Sequence, residues 1–479
     1  MEKWREYKQF ADDVSAGTDQ WIDLTRPASA AGTPGPPPPT KDDAKARDLV
    51  SQASEANQQH QFDRSGELIA QAKAINEEQP YLWSVTGFRA MLRGEMTEAA
   101  ADYKHELQLH PNEENIYQLL ANTQLAQDKR SDAEATLRLR LKVVGPDAGT
   151  SMLLVDLLQQ DDNPTAALHA AEEASTADPT NQRLKVMLGR ARLKAGDKAA
   201  GAATLLTALR EADDPGLRND AAYELANNDQ WTQEVEDAAR KAVDQITQET
   251  QSWTLTTADQ DISEMRKRSA LLVASWDTLG WAIYKSPTGR EPARLAEAEH
   301  YIAAAWQNDL HAEVGTHLAE LQLAMHRPAE ALVTLQLARA TTPEFNALGV
   351  RQQPSAVQRD LDGRIERLRK LQPKAALTDP RAALNQQSRL EAGASGGQSI
   401  VAPYRMLLTA HGIQNIVALK AEDGDHGKPD PARDLPRIDH AIPKTWIPAE
   451  SSARLLRSSL LKCHQDVCEV ILTPLAVTR

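Results

Sequence analysis

Apolar and polar positions alternate along most of this chain with the spacing of an α-helix. Between residues 45 and 372, hydrophobic residues recur three and four positions apart, and stretches that contain Gly or Pro separate one helical segment from the next. This spacing predicts amphipathic helices that each bury one face. The sequence therefore predicts a mainly α-helical protein built from successive helix–turn–helix units.

The clearest unit lies between residues 80 and 111 and begins with Trp83 in its first helix. Gly87 and Ala99 are small, which lets two helices cross closely, and Tyr103 is large enough to fill the space between units. Gly94 lies near the end of the first helix, and Pro111 ends the second because proline cannot continue a helix.

The same positions recur in phase before and after this unit. The equivalent small and large residues are Ala56, Leu68 and Ala72; Ala121, Ala133 and Leu137; Val155, Ala167 and Ala171; Gly189, Gly201 and Leu205; Gly280, Ala298 and Ile302; and Ala319, Ala331 and Leu335. Residues 216–255 keep helical segments without clear small positions, which indicates a degenerate repeat. A charged helix over 354–371 is expected to cap the array, because the last repeat must face solvent.

These spacings resemble the 34-residue tetratricopeptide repeat (TPR) over about residues 45–370. The resemblance implies a TPR-type α-solenoid in which the first helix of each repeat lines a groove that holds a protein or peptide. The usual groove positions fall on Asn115, Gln118 and Asn122; two repeats later on Arg183, Arg190 and Lys194; and further on at Asp277, Trp281 and Tyr284.

Each of these three sets has a functional and a structural interpretation. Carboxamides carry both donor and acceptor atoms and suit a peptide backbone, whereas the alternative is a solvated polar face. Three cations on one side of a helix suit a carboxylate or phosphorylated ligand, or else they are ordinary surface charges. Trp281 and Tyr284 either line the groove or pack between repeats.

The composition divides the chain into five predicted segments. They are an amphipathic helix over 1–24 with an aromatic face (Trp4, Tyr7, Phe10 and Trp21), a Pro-rich linker over 25–44, the TPR-like solenoid over 45–372, a linker over 373–396, and a small α+β domain over 397–479. In the last domain, two apolar stretches around His411 and Gly412 predict a strand pair, a short helix follows, and the closing segment predicts a second strand pair.

A weaker resemblance extends beyond the repeats. The opening helix, the Ser275–Tyr284 segment and the final strand pair are similar to the C-terminal portion of large bacterial transglutaminase-like proteins. In those proteins the repeats would position substrates for a catalytic domain that lies upstream and is absent from this sequence. The last domain is also loosely similar to the C-terminal domain of TonB-like proteins, which implies a role in cell-envelope assembly.

Charge and composition exclude several classes of function. The net charge of −14 disfavours nucleic acid as a partner, and no basic run compensates for it. No stretch approaches the roughly 18–20 apolar residues that span a bilayer. Charged residues occupy the start of the chain, so no signal peptide is predicted. This reading favours the cytoplasm, or the periplasm if the chain is a fragment of a larger exported protein.

The two cysteines leave three interpretations open. Cys463 and Cys468 flank four residues of a predicted hairpin, where they either form a disulfide or remain free thiols. A metal site is the least favoured interpretation, because no second ligand pair accompanies them. The chain also lacks HExxH, CxxC and phosphate-loop motifs. We therefore predict neither a cofactor nor a metal.

The sequence as a whole predicts a non-catalytic scaffold that binds a partner protein or peptide in the groove of its repeats. The alternative is the accessory segment of a transglutaminase-like enzyme. The oligomeric state and the identity of the partner are not specified by these patterns.

Overall fold

The computed structural model describes residues 41–258, 260–344, 354–393, 399–419, 430–464 and 467–473. The predicted helix over 1–24 and most of the predicted linker over 25–44 lie outside this part of the chain. The described residues form two compact units, of which the first comprises those up to residue 195 together with Glu344, and the second comprises the remainder. Each unit is described separately below.

The described part of the first unit consists of paired helices. They are α1 (Lys41–Gln58), α2 (Phe62–Ile75), α3 (Leu82–Leu92), α4 (Met96–Leu109), α5 (Glu114–Ala126), α6 (Arg130–Val143), α7 (Ala148–Gln160), α8 (Pro164–Ala177) and α9 (Gln182–Lys194). Helix α1 begins within the last residues assigned to the linker, which corrects its predicted end at residue 44. Asp42 and Asp43 lie in the first turn of this helix, where acidic side chains interact favourably with the positive end of the helix dipole.

The turn inside each helix pair contains a residue with positive φ. His60, Gly94, Asp128 and Asp162 occupy this position at intervals of one 34-residue repeat, with φ angles between 54° and 80°. A left-handed residue ends the first helix and redirects the chain into the second. The regular interval confirms the predicted TPR-type fold.

Close helix contacts explain the small residues of the repeat. A Cβ atom on Gly87 would lie 3.0 Å from the Tyr103 ring and 3.1 Å from the carbonyl oxygen of Ala99. Tyr103 and Ala99 are both fully buried in a core that also includes Ile116 of the following repeat. The predicted roles of these residues therefore hold in the structure.

A buried carboxylate joins the two helices of the same repeat. Glu106 on α4 accepts hydrogen bonds from the backbone N–H groups of Tyr81, Trp83 and Ser84, at 2.8, 2.9 and 3.0 Å. These groups lie at the start of α3 and have no partner within the helix. Burial raises the pKa of Glu106, while the three hydrogen bonds favour its charged form.

We expect Glu106→Gln to lower the free energy of unfolding by about 2 kcal/mol, because an amide replaces a charged acceptor of three bonds. Urea unfolding followed by circular dichroism measures the effect. Glu98→Gln, at an exposed position of the same helix, provides the control. Equal stability of both variants would show that Glu106 contributes nothing through its charge.

The second unit begins with helices that continue the paired arrangement. They are α10 (Lys198–Glu211), α11 (Pro215–Asn227), α12 (Gln233–Thr250), α13 (Ser263–Lys285), α14 (Pro292–Asn308), α15 (Ala312–Ala324), α16 (Pro328–Thr341) and α17 (Ala356–Leu371). The degenerate repeat corresponds to α11 and α12. Leu361 and Leu368 of α17 pack on Ala331 and Leu335 of α16, and the remaining face of α17 is largely exposed and charged.

The same unit contains a five-stranded antiparallel sheet. Its strands are β1 (Arg389–Glu391), β2 (Ile400–Thr409), β3 (Gly412–Ala418), β4 (Leu455–His464) and β5 (Val467–Leu472), in the order β1-β5-β4-β2-β3. The strand pairs β2–β3 and β4–β5 match the two predicted hairpins. Helix α19 (Pro431–Ala441) lies between them in sequence, and a short 3-10 helix follows at Lys444–Trp446.

The sheet packs directly on the helices of the second unit, which corrects the predicted domain boundary. Leu407 and Leu456 of the sheet share a core with Leu255, Ile262 and Met265. The predicted linker over 373–396 contains α18 (Pro380–Gln387) and β1. The linker prediction failed because this polar segment is fixed by tertiary hydrogen bonds that its composition does not reveal, as the next contact illustrates.

The side chain of Gln336 on α16 forms two hydrogen bonds with the backbone of Leu377. The Gln336 oxygen accepts from the Leu377 N–H at 2.9 Å, and the Gln336 nitrogen donates to the Leu377 carbonyl at 3.4 Å. A buried carboxamide thus pairs with the backbone of one residue through both of its polar atoms. None of the helices in the described ranges is long and apolar enough to cross a membrane.

Candidate functional site

The predicted carboxamides share one face of α5. Asn115, Gln118 and Asn122 follow at spacings of three and four residues, so their side chains project from the same side of the helix. Asn115 and Gln118 are half-buried and Asn122 is exposed. None of these three side chains forms a hydrogen bond with another side chain or with a backbone group in the described part of the chain. We call these residues the carboxamide face.

The opposite side of α5 fixes the orientation of this face. Ile116, Tyr117, Leu120 and Ala121 are buried against neighbouring helices. The Tyr117 hydroxyl also donates a hydrogen bond of 2.9 Å to the carbonyl of Pro111. Because the buried positions anchor the helix, the carboxamide face is held toward solvent.

Equivalent positions recur on the next first helices, and two of them are in contact. Asn122 on α5, Asp156 on α7 and Arg190 on α9 are separated by successive 34-residue intervals. Arg190 donates a hydrogen bond to the Asp156 carboxylate and forms an ion pair with it. This contact shows that one row of residues runs across consecutive repeats. We call Asn122, Asp156 and Arg190 the first-helix row.

Basic residues continue the row on α9. Its thirteen residues include five basic side chains and no acidic one. Arg183 and Lys194 are exposed, whereas Arg190 is half-buried and paired with Asp156. Arg190 is therefore committed to Asp156, whereas the role of Arg183, Arg190 and Lys194 in holding an anionic ligand stays a prediction.

The third predicted set lies in the second unit and is buried. Asp277 is 0% exposed, Trp281 3% and Tyr284 5%. Their burial within their own unit argues against the interpretation in which they line an open groove, and it favours the alternative in which Trp281 and Tyr284 pack between repeats. The Trp281 ring stacks on Tyr284 at 5.1 Å and on His317 at 4.0 Å.

His317 is a partner that the sequence did not predict. Its Nδ1 lies 3.0 and 3.1 Å from the two carboxylate oxygens of Asp277, and both side chains are buried. Burial lowers the pKa of His317, but the charge and hydrogen bond of Asp277 outweigh it, and the pKa is raised. The 40 residues between the two positions explain why a local pattern gives no signal of the pair.

The cysteines occupy facing positions on β4 and β5. The Cα atoms of Cys463 and Cys468 are 4.0 Å apart, and their Sγ atoms are bonded to each other. Both residues are buried. The described residues contain no group of three or more His, Cys, Asp or Glu that is placed to hold a metal ion.

The helix pairs, their 34-residue interval and their small contact residues define a TPR-type repeat fold followed by a small antiparallel sheet. Similar folds include a TPR protein from Parabacteroides merdae, with a TM-score of 0.39 and 11% identity over 68% of this chain and 99% of that one. Yeast Tom70 has a TM-score of 0.41 and 14% identity over 79% of this chain and 74% of that one.

A third similar structure is YrrB, described as a TPR protein with an unusual peptide-binding site. It has a TM-score of 0.29 and 17% identity over 37% of this chain and 91% of that one. These similarities concern the fold alone. No family model matches the sequence, and no curated protein matches it.

Proposed function

We propose that the chain is a non-catalytic scaffold that binds a partner protein or peptide on the first helices of its first unit. The observation that carries the proposal is the carboxamide face. Asn115, Gln118 and Asn122 are oriented by the buried side of α5 and keep their donors and acceptors available. Extended surfaces formed by successive repeats are the usual binding surfaces of such proteins.

The exposed side chains of the first helices α5 and α9 support a particular kind of peptide. Carboxamides on α5 suit the alternating N–H and C=O groups of an extended backbone, as Gln336 already illustrates at Leu377. Exposed Arg183 and Lys194 on α9 suit acidic side chains or a terminal carboxylate. The proposed ligand is therefore an extended peptide whose acidic part lies toward α9.

We expect the double variant Asn115→Ala, Asn122→Ala to weaken peptide binding about tenfold or more. Each lost hydrogen bond contributes about 0.5–1.5 kcal/mol, and about 1.4 kcal/mol corresponds to a factor of ten. The probe is a fluorescent peptide selected from a random display library against the full chain, and anisotropy measures its dissociation constant.

Arg138→Ala on α6 is the matched control, because Arg138 is exposed and lies on a second helix of the same unit. Its affinity for the selected peptide should equal that of the wild type. Equal binding by all three proteins would contradict the proposed surface, as would a loss in the control equal to that in the double variant. Circular dichroism verifies that each variant keeps its helices.

A further inference from the structure

A buried contact between a carboxylate and an imidazole connects two first helices of the second unit. Asp277 lies on α13 and His317 on α15, and the exposed fractions of their side chains are 1% and 5%. Removing two charges from water is unfavourable unless each charge stabilises the other. The contact therefore depends on the protonation of the imidazole, which titrates closer to neutrality than any other unperturbed side chain.

Aromatic rings extend this contact along α13. The imidazole of His317 lies 4.0 Å from the Trp281 ring at an interplanar angle of 16°, and Tyr223 of α11 lies 6.2 Å from the imidazole. A protonated imidazole over an aromatic face gains a cation–π interaction that the neutral ring lacks. Protonation thus strengthens both contacts of His317 with α13.

Other charged groups around His317 act in the same direction. Glu313 and Glu320 lie on its own helix, one helical turn before and after it, and both favour the charged imidazole. Glu313 accepts a hydrogen bond from the Tyr223 hydroxyl, and Glu320 pairs with Arg364 of α17 at 2.8 Å. The nearest cation along α13 is Lys285, which lies 5.0 Å from the Trp281 ring and pairs with Asp229.

The charges that act on the imidazole of His317 are those of Asp277, Glu313 and Glu320, and the other two helices packed against α15 approach it at a different residue. Trp306 of α14 and Ala338 of α16 both approach Gly315, two residues before His317. The acidic surroundings therefore come from α13 and from α15 itself.

We infer that Asp277 and His317 form a pH-dependent contact that holds α15 on α13 when the imidazole is protonated and weakens when it is neutral. The raised pKa of His317 sets the direction of the change. The stabilisation is complete below the ordinary histidine pKa of about 6.5 and is lost as the pH rises through the higher value of the folded state. The inference is independent of the peptide-binding proposal, which concerns the first unit.

Hydrogen–deuterium exchange of the full chain tests the inference. We expect the opening equilibrium of residues 312–324, corrected for intrinsic exchange, to rise at least about threefold between pH 6 and pH 9. In His317→Gln, the opening equilibrium of residues 312–324 at pH 6 should already equal the wild-type value at pH 9. It should not rise further with pH. His169→Gln, at an exposed position of α8, should behave as the wild type.

Two results would overturn the inference: a wild-type segment whose opening does not change with pH, or a His317→Gln variant that keeps the wild-type change. If His317→Gln fails to fold, Asp277→Asn and an NMR titration of the wild-type imidazoles replace it. We expect the His317 resonance to titrate above pH 6.5 in the wild type and at a lower pH in Asp277→Asn. Titration at or below 6.5 in the wild type would also overturn the inference.

Discussion

Replacing Arg457 by alanine is expected to lower the free energy of unfolding of the second unit by about 3–5 kcal/mol. Arg457 lies on β4, is 4% exposed, and donates hydrogen bonds of 2.7 and 2.9 Å to the carbonyls of Asn308 and Thr473. Asn308 is the last residue of α14, where backbone carbonyls lack partners within the helix. The guanidinium therefore connects the sheet to the end of a repeat helix.

The expected loss is large because Asn308, one of the two partners of Arg457, is buried as well. Burial lowers the pKa of its guanidinium to about 10, although the negative charge of Asp309 acts to raise it. Removing the side chain leaves the Asn308 carbonyl without this donor, and an unpaired buried group costs about 1–3 kcal/mol. The Trp446 ring, whose centroid lies 5.6 Å from the guanidinium, also loses a cation–π contact.

Amide exchange of β4 and of the last turn of α14 measures this effect locally, since a chain with two units need not unfold in one step. Lys462→Ala is the control, because Lys462 lies on the same strand but is exposed. We expect β4 to exchange much faster in Arg457→Ala and at the wild-type rate in Lys462→Ala. Identical exchange in both variants would mean that Arg457 does not anchor the sheet.

Local patterns predicted the parts of the fold that depend on neighbouring residues. Gly87, Ala99 and Tyr103 contact one another within one repeat, and their spacing alone indicates a close helix crossing. The two hairpins were predictable for the same reason, because alternation and a short turn specify pairing between adjacent strands.

Contacts between distant segments account for what the sequence did not predict. Leu255 and Leu407 share a core although more than a hundred residues separate them, so the union of sheet and helices has no local signal. Asp277 was assigned to the groove from the usual positions of the repeat, and a carboxylate is rarely buried unless it is paired. Its partner His317 belongs to the following repeat, and the repeat spacing specifies small and large positions rather than charge pairs.

Replacing Gly280 by valine is expected to destabilise the second unit by about 3 kcal/mol or more. A Cβ atom at this position of α13 would lie 2.5 Å from Cγ1 of Ile302 and 2.8 Å from the carbonyl oxygen of Ala298, both on α14. Ile302 and Ala298 are fully buried, and the carbonyl belongs to the backbone, so neither has room to move. Extra atoms in a packed core cost about 1–3 kcal/mol, and the branched valine adds two more carbon atoms beyond Cβ.

Gly363→Val is the matched control, because Gly363 also lies inside a helix but faces open space. The nearest atom to an added Cβ there is the end of the Arg367 side chain at 3.6 Å. Valine has a higher helix propensity than glycine, so this change should be neutral or stabilising by a few tenths of a kcal/mol. The urea concentration at the midpoint of unfolding should therefore fall in Gly280→Val. In Gly363→Val it should stay the same or rise slightly. A loss of similar size in both would attribute the effect to valine itself rather than to the crossing of α13 and α14.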